Sequence, residues 1–167
     1  MDNGSVAKKR GNNMMLNSTR LGQLDVDEGT VINFPRGIPG FEQSVQWKLF
    51  HEEDDSGTPK AGVVFLMQSL NDPDVTLPVT DPSVFGINYE FVLSDSEIAE
   101  LQLEDANDLA VLVVLTQKNK VPQTSSAVPV ENLGANLSAP LLINAKSRKG
   151  MQKIFLGPEV KIEYRPR

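Results

Sequence analysis

The sequence of 167 residues contains no cysteine, a single histidine and few aromatic residues, which make up 6% of the chain. Without cysteine there is no disulfide, no thiolate-bound zinc or iron–sulfur cluster, and no thiol redox chemistry. A chain without thiols fits a reducing compartment, and we therefore expect a cytoplasmic protein.

With a single histidine, the chain cannot form most of the catalytic and metal sites that depend on this residue. His51 stands beside four consecutive acids at 52–55, and one imidazole is too few for the usual multi-histidine metal site or for several catalytic bases. The chain also lacks a G-x-S-x-G elbow, a P-loop and a G-x-G-x-x-G turn. We interpret the acidic run as a solvated loop tip and expect no catalytic residue, no cofactor and no metal. A glycosidase-like pair of carboxylates stays open as an enzymatic alternative, since any two acids can meet in a cleft.

Long hydrophobic runs are absent as well. The apolar stretch Met14–Leu16 is far shorter than the ~7–15 residues of a signal peptide, and no stretch reaches the length of a membrane span. The net charge is −6; residues 1–10 carry three cations and one acid, a charge of +2, so the remainder carries −8. Because phosphate binding needs a positive field, we expect no direct nucleic-acid partner and no membrane partner, but a basic protein partner.

The length and a composition of 40% hydrophobic and 23% charged residues indicate one globular domain. Residues 1–18 are polar, rich in Gly and Asn, and without periodicity, so we expect a disordered N-terminal tail there. The single domain is expected at residues 19–164.

Apolar and polar residues alternate with a period of two at 45–49, 75–79, 89–93 and 160–164. This period predicts half-buried strands, and Pro78 places its strand at an edge or a bulge. Two unbroken apolar runs, 63–67 and 110–115, predict strands buried on both faces.

One short helix is predicted near residues 95–102, because Ser94 and Glu97 have the spacing of a capping box. Many short strands with a single helix predict an all-β (mainly β) fold, a small antiparallel, partly open β-barrel. A fully closed barrel and a sandwich are the alternatives.

The segment Phe34–Phe41 predicts two successive turns. Pro35 and Gly37 have the positions that a type I turn prefers, and Pro39 with Gly40 has those of a type II turn. The flanking rings are interpreted as lids on one end of the barrel or, alternatively, as a platform for a partner. Two Asp-Pro pairs, at 72–73 and 81–82, predict turns closed by the aspartate side chain.

These motifs, taken in order from Leu21 to Ile154, resemble the family of the flagellar assembly factor FliW. The residues that carry the resemblance are Phe34-Pro35, Gly37-Ile38-Pro39-Gly40-Phe41, Gln68-Ser69, Asp72-Pro73, Leu77-Pro78-Val79-Thr80-Asp81-Pro82, Asp108-Leu109, Asn136-Leu137, Ala139-Pro140, Ile143-Asn144, Arg148, Gly150 and Gln152. The chain departs from the family's pattern in its longer N-terminal tail and in its long polar segment at 119–134.

The resemblance implies a small β-barrel that binds flagellin in the cytoplasm and also binds and antagonises the translational repressor CsrA, so that the flagellin level controls flagellin translation. An acidic scaffold without a flagellar role is the alternative. The candidate partner-binding residues are the signature positions on loops and turns: Phe34, Pro35, Ile38, Pro39, Phe41, Gln68, Asp72, Asp81, Asn136, Asn144, Arg148 and Gln152.

Overall fold

The computed structural model of the chain describes residues 8–10, 13–51, 64–117, 133–156 and 160–164. Its strands are β1 (Lys8–Arg10), β2 (Asn13–Ser18), β3 (Gly22–Asp27), β4 (Ile32–Asn33), β5 (Gln46–His51), β6 (Val64–Ser69), β7 (Thr76–Thr80), β8 (Ile87–Phe91), β9 (Leu109–Gln117), β10 (Leu133–Ala135), β11 (Leu141–Asn144), β12 (Lys149–Gln152) and β13 (Val160–Tyr164). Helix α1 spans Asp95–Leu101, and 3₁₀ helices span Glu28–Thr30, Pro82–Phe85 and Ala106–Asp108.

Seven strands close a barrel in the order β9-β11-β12-β4-β5-β6-β7, with β7 pairing back to β9. The predicted β-barrel is confirmed, and it is closed where we expected it to be partly open. One pair, β12 with β4, is parallel, and the other barrel pairs are antiparallel. Pro78 lies beside the closing seam, where β7 meets β9 only at Val79 and Thr80. Because proline donates no N–H, this seam is short.

The barrel interior is filled by apolar side chains that its strands and the loop after β4 send inward: Ile32, Phe34, Ile38, Trp47, Met67, Val79, Leu112, Leu141 and Ile143. Burying each of the larger ones contributes about 1.5–3 kcal/mol. The run at 110–115 was predicted to be buried on both faces of its strand. Leu112, Val113 and Leu115 are buried, but Ala110 is exposed.

A second, smaller sheet, β1-β2-β3, packs on the barrel through the cluster of Leu16, Val26, Val31 and Leu70. The expectation of a disordered tail to residue 18 is therefore wrong for β2, in which Leu16 is only 2% exposed. Met14, Met15 and Leu16 are three consecutive apolar residues without alternation, too few to predict a strand. Residues 1–7 lie outside the described part, and the single domain at 19–164 stays a prediction.

Strands β8 and β13 form a two-stranded ribbon, with Phe91 opposite Val160 and Tyr89 opposite Ile162. Helix α1 follows the ribbon's first strand and begins as predicted, since Ser94 and Glu97 make both hydrogen bonds of the capping box. No helix within the described ranges is long and apolar enough to cross a membrane.

Candidate functional site

The loop that joins β4 to β5 consists of the two predicted turns. The amide of Gly37 donates to the carbonyl of Phe34 at 2.7 Å, and the amide of Phe41 donates to that of Ile38 at 2.6 Å. Gly37 and Gly40 have φ of 67° and 92°, values that residues with a side chain rarely adopt. The loop is therefore fixed by its own backbone.

Three aromatic rings at this loop form what we call the loop cluster: Phe34, Trp47 and Phe41. Both phenylalanine rings lie 6.5 Å from Trp47 in edge-on geometry. Phe34 is fully buried and Ile38 nearly so, whereas Phe41 is 36% exposed. A Cβ on Gly150 would lie 2.6 Å from the Phe34 ring, so glycine is needed there for the ring to reach β12. Phe34 and Ile38 are thus core residues, and Phe41 remains accessible.

The outer side of the loop is also open to a partner. Pro35 and Pro39 are exposed, as the sequence-based candidate site requires. Between them Arg36 extends to helix α1, where its Nε lies 2.9 Å from Glu100. This ion pair, which sequence reasoning missed, ties the loop to the helix.

Gln68 is a structural residue and is fully buried. Its Oε1 accepts hydrogen bonds from the hydroxyls of Ser18 and Thr76, both at 2.6 Å, and its Nε2 donates to the carbonyl of Ser69 at 2.8 Å. The side chain therefore joins β2 of the small sheet to the barrel. It has no surface to offer a partner.

Beside the loop lies an acidic cleft of about 650 Å³, between residues 40–44 and 71–75. The carboxylates of Glu42, Asp72 and Asp74 line it. Asp72 is exposed, and its Oδ1 accepts the amide of Asp74 at 3.0 Å, which confirms the predicted aspartate turn. The cleft combines negative charge with the accessible ring of Phe41.

Three candidate residues lie elsewhere on the molecule. Asp81 caps the 3₁₀ helix after β7, again as the predicted aspartate turn. Gln152 donates to the carbonyl of Ala139 at 3.0 Å, and Asn136 is exposed on the turn after β10. These positions do not join the loop and cleft into one site.

Asn144 and Arg148 lie at the opposite end of the barrel, where β11 ends and β9 begins. The buried Asn144 side chain donates to the carbonyls of Leu101 and Gln102, both at 3.0 Å, and accepts from the backbone amides of 146–147. It therefore joins the end of α1 to the turn before β12. Arg148 follows this turn with φ of 59°.

A second set of contacting rings, which we call the ribbon cluster, consists of Tyr89 and Phe91 on β8 and Phe155 after β12. The ring of Phe155 lies 6.3 Å from Tyr89 and 5.3 Å from Phe91. The Tyr89 hydroxyl donates to the carbonyl of Leu137, and burial raises the pKa of Tyr89 to about 12. The cluster anchors the ribbon on the barrel.

Four exposed apolar side chains that the sequence-based site missed lie on the ribbon or close in the chain to residues of the ribbon cluster, and together we call them the apolar surface: Val92, Ile154, Leu156 and Ile162. Val92 is 86% and Leu156 90% exposed. The sequence contains one indication of this surface: Val92 is apolar at a position where the alternation at 89–93 predicts a polar residue. Where exposed apolar side chains adjoin in one large patch, they mark an interaction surface.

Helix α1 is fixed beside this surface by a half-buried ion pair. Nζ of Lys153 lies 2.6 Å from the Glu97 carboxylate and 5.5 Å from the centre of the Phe155 ring. Burial would raise the pKa of Glu97, but hydrogen bonds from Lys153 and Ser94 outweigh it and hold that pKa below its usual value. Within the described ranges, no group of three or more His, Cys, Asp or Glu residues could hold a metal, and the acidic run at 52–55 lies outside them.

Known proteins resemble this chain over nearly all of its length. A family model described as FliW protein matches residues 15–166, a range that includes the motifs from Leu21 to Ile154. The chain is 39% identical over 154 residues to the flagellar assembly factor FliW of Azoarcus sp. (strain BH72), covering 91% of this chain and 99% of that protein. It is 32% identical over 148 residues to that of Thermosipho africanus (strain TCF52B), covering 89% and 92%. A crystal structure of the flagellar assembly factor FliW superposes with a TM-score of 0.70 at 26% identity, covering 90% of this chain and 95% of that one.

Proposed function

This chain belongs to the FliW family of flagellar assembly factors, and on that premise we propose that it binds flagellin and a CsrA-type translational regulator in the cytoplasm. Flagellin occupies the protein until export removes it, and the released protein then captures CsrA and relieves repression of flagellin synthesis. The protein acts by binding alone and catalyses no reaction. The observation that carries the proposal is the presence of two unlike surfaces on one barrel, the apolar surface at the ribbon and the acidic cleft.

The apolar surface at the ribbon suits flagellin. The export-competent ends of flagellin are expected to be apolar and helical once ordered, and such a helix binds by laying its apolar face on an apolar surface. Val92 and Leu156 are almost fully exposed, so covering them removes apolar area from water at about 25 cal/mol per Å². We expect this interaction to depend little on salt.

The acidic cleft suits CsrA, because a protein that grips RNA needs a cationic surface. The carboxylates of Glu42, Asp72 and Asp74 would attract that surface and lower its positive potential. RNA binding is then weakened even where the RNA site itself stays unoccupied. The ring of Phe41 beside the cleft provides an apolar contact that slows dissociation.

The test is to measure association kinetics with each partner at ~50 mM and ~500 mM salt, a range over which the Debye length shrinks about threefold. We expect the CsrA on-rate to fall as salt rises and flagellin affinity to change little. A CsrA on-rate that stays flat would contradict electrostatic steering. Failure to bind either partner would favour a scaffold without a flagellar role.

Two pairs of variants locate the surfaces. Asp72→Asn keeps the acceptor that closes its turn but removes the charge, so it should slow CsrA association, whereas Glu104→Gln, outside the cleft, should not. Val92→Ser should weaken flagellin binding, whereas Val84→Ser, at a 41% exposed valine in the 3₁₀ helix that precedes β8, should leave it unchanged. Equal effects within either pair would show that the surface is wrongly placed.

A further inference from the structure

A half-open cavity of about 230 Å³ lies at the mouth of the barrel, at the end where β11 ends. Five strands, β4, β5, β6, β9 and β11, contribute apolar side chains to its walls: Ile32, Leu49, Phe65, Leu112 and Ile143. Two polar side chains, those of Asn144 and Arg148, also reach it. The cavity is separate from the ribbon and from the acidic cleft.

Of the two polar side chains, Asn144 has no capacity left for a ligand. Both of its amide hydrogens are used in bonds to the carbonyls that end helix α1, and its oxygen accepts two backbone amides. An amide has two donors and one acceptor oxygen with two lone pairs, so all four positions are filled. Arg148 is left as the group that can bind a polar atom in the cavity.

Arg148 is half-buried, and within the described part of the chain its guanidinium has no hydrogen bond and no ion pair. Its backbone is held on both sides, since its amide donates to Asn144 and its carbonyl accepts from Asn33, each at 2.8 Å. The resulting φ of 59° is one that glycine adopts with less strain than arginine. The chain thus places a guanidinium that no described residue pairs with at a position where the backbone favours glycine.

A second cation, Lys48, lies in the neighbourhood of Arg148. Lys48 lies near enough that, after burial, the charge of Arg148 is the main cause lowering the pKa of Lys48, and Asp27 opposes that effect. Two cations with one nearby carboxylate attract an anion. Guanidinium, with donors in a planar fork, matches a carboxylate in particular.

We propose that this cavity binds a medium-chain fatty acid, with the alkyl chain on the apolar walls of the barrel mouth and the carboxylate on Arg148. At ~30 Å³ per water-sized group the cavity has room for about seven or eight such groups, which suits the chain of octanoate. The carboxyl end of a polypeptide fits less well, because its last amide N–H would enter an apolar cavity in which Asn144 has no acceptor to spare.

The experiment is calorimetric titration of the full chain with octanoate and, separately, with 1-octanol and with a short peptide that ends in leucine. We expect octanoate to bind, 1-octanol to bind at least about tenfold more weakly, and the peptide not to compete. Arg148→Gly relieves the positive φ and should keep the fold, yet weaken octanoate binding by about tenfold or more. The matched control, Arg20→Gly, removes the same charge from an exposed turn and should leave octanoate affinity unchanged.

Three results would overturn the proposal: no binding of octanoate to the wild-type chain, equal binding by the Arg148→Gly variant with its melting temperature retained, or tighter Arg148-dependent binding of the peptide. None of them bears on the ribbon or the acidic cleft as partner surfaces, since those two surfaces use other residues.

Discussion

The loop cluster and the ribbon cluster are built from the same kind of side chain and serve different ends. In the loop cluster Phe34 and Trp47 are fully buried in the barrel, under a loop whose turns are fixed by their own hydrogen bonds. The ribbon cluster lies outside the barrel, and the residues beside it, Val92 and Leu156, are almost fully exposed. The segment with the strong sequence motif, Phe34–Phe41, thus forms part of the scaffold. The segment around Val92, which has no such motif, carries part of the apolar surface.

This difference follows from what each region must do. A loop that covers a barrel end has to meet special φ values and a close ring contact at Gly150, and such demands require particular residues. An apolar binding surface only needs exposed apolar side chains, which many residues can supply. The comparison can be tested by substitutions in both regions.

The largest effect is expected for Phe34→Ala. It removes a fully buried ring that contacts Trp47, and we expect it to lower the free energy of unfolding by about 3–5 kcal/mol. Phe41→Ala, at the partly exposed ring on the other side of Trp47, should cost clearly less. Urea unfolding of both variants measures the difference; equal losses would contradict the division into core and accessible rings.

A smaller loss is expected for Gln68→Met, which keeps the shape of the side chain. The hydroxyls of Ser18 and Thr76 lose their acceptor, and leaving buried donors unsatisfied costs about 1–3 kcal/mol. Because Ser18 belongs to β2, amide exchange should speed up in β2 and β3 more than in the barrel. Gln23→Met, at an exposed position of β3, is the control and should leave exchange unchanged. Uniform loss of protection would show that Gln68 does not specifically hold the small sheet.

In the ribbon cluster, Tyr89→Phe should cost about 1 kcal/mol, since it removes the hydrogen bond to Leu137. The pKa of Tyr89 is raised from 10.0 to about 12, so its folded state holds the proton more tightly than the unfolded state does. Its contribution to stability is therefore complete below pH 10.0 and is lost as the pH rises towards about 12.

Absorbance titration checks this prediction directly. The chain has two tyrosines, so the Tyr164→Phe variant reports Tyr89 alone. Ionisation near the ordinary value of 10.0 would show that the ring is not shielded as described.

The sequence predicts local structure well where a short pattern determines it. The alternation at 45–49 became β5, the capping box at Ser94 begins α1, and both predicted aspartate turns are present. The signals fail where burial depends on distant parts of the chain. The strand β11 is buried along its whole length and shows no alternation, and the role of Gln68 depends on Ser18, fifty positions away.

The candidate site was predicted least well, because a motif does not reveal which side of a residue meets solvent. Pro35, Pro39, Phe41 and Asp72 are accessible, whereas Phe34, Ile38, Gln68 and Asn144 are buried. The four buried side chains make structural contacts, and their contact with a partner stays a prediction. For the other eight candidate residues, too, contact with flagellin or CsrA stays a prediction.

The smallest effect on stability is expected at the apolar surface itself. Val92 is 86% exposed, so Val92→Ser removes few packing contacts and should change the free energy of unfolding by no more than about 0.5 kcal/mol. The same substitution should nevertheless weaken flagellin binding, because the valine is buried only in the complex. Urea unfolding and a flagellin titration on one preparation separate the two quantities. Since Phe34→Ala weakens the fold and Val92→Ser weakens only the complex, a large loss of stability in Val92→Ser would show that this valine supports the ribbon instead of forming a surface for a partner.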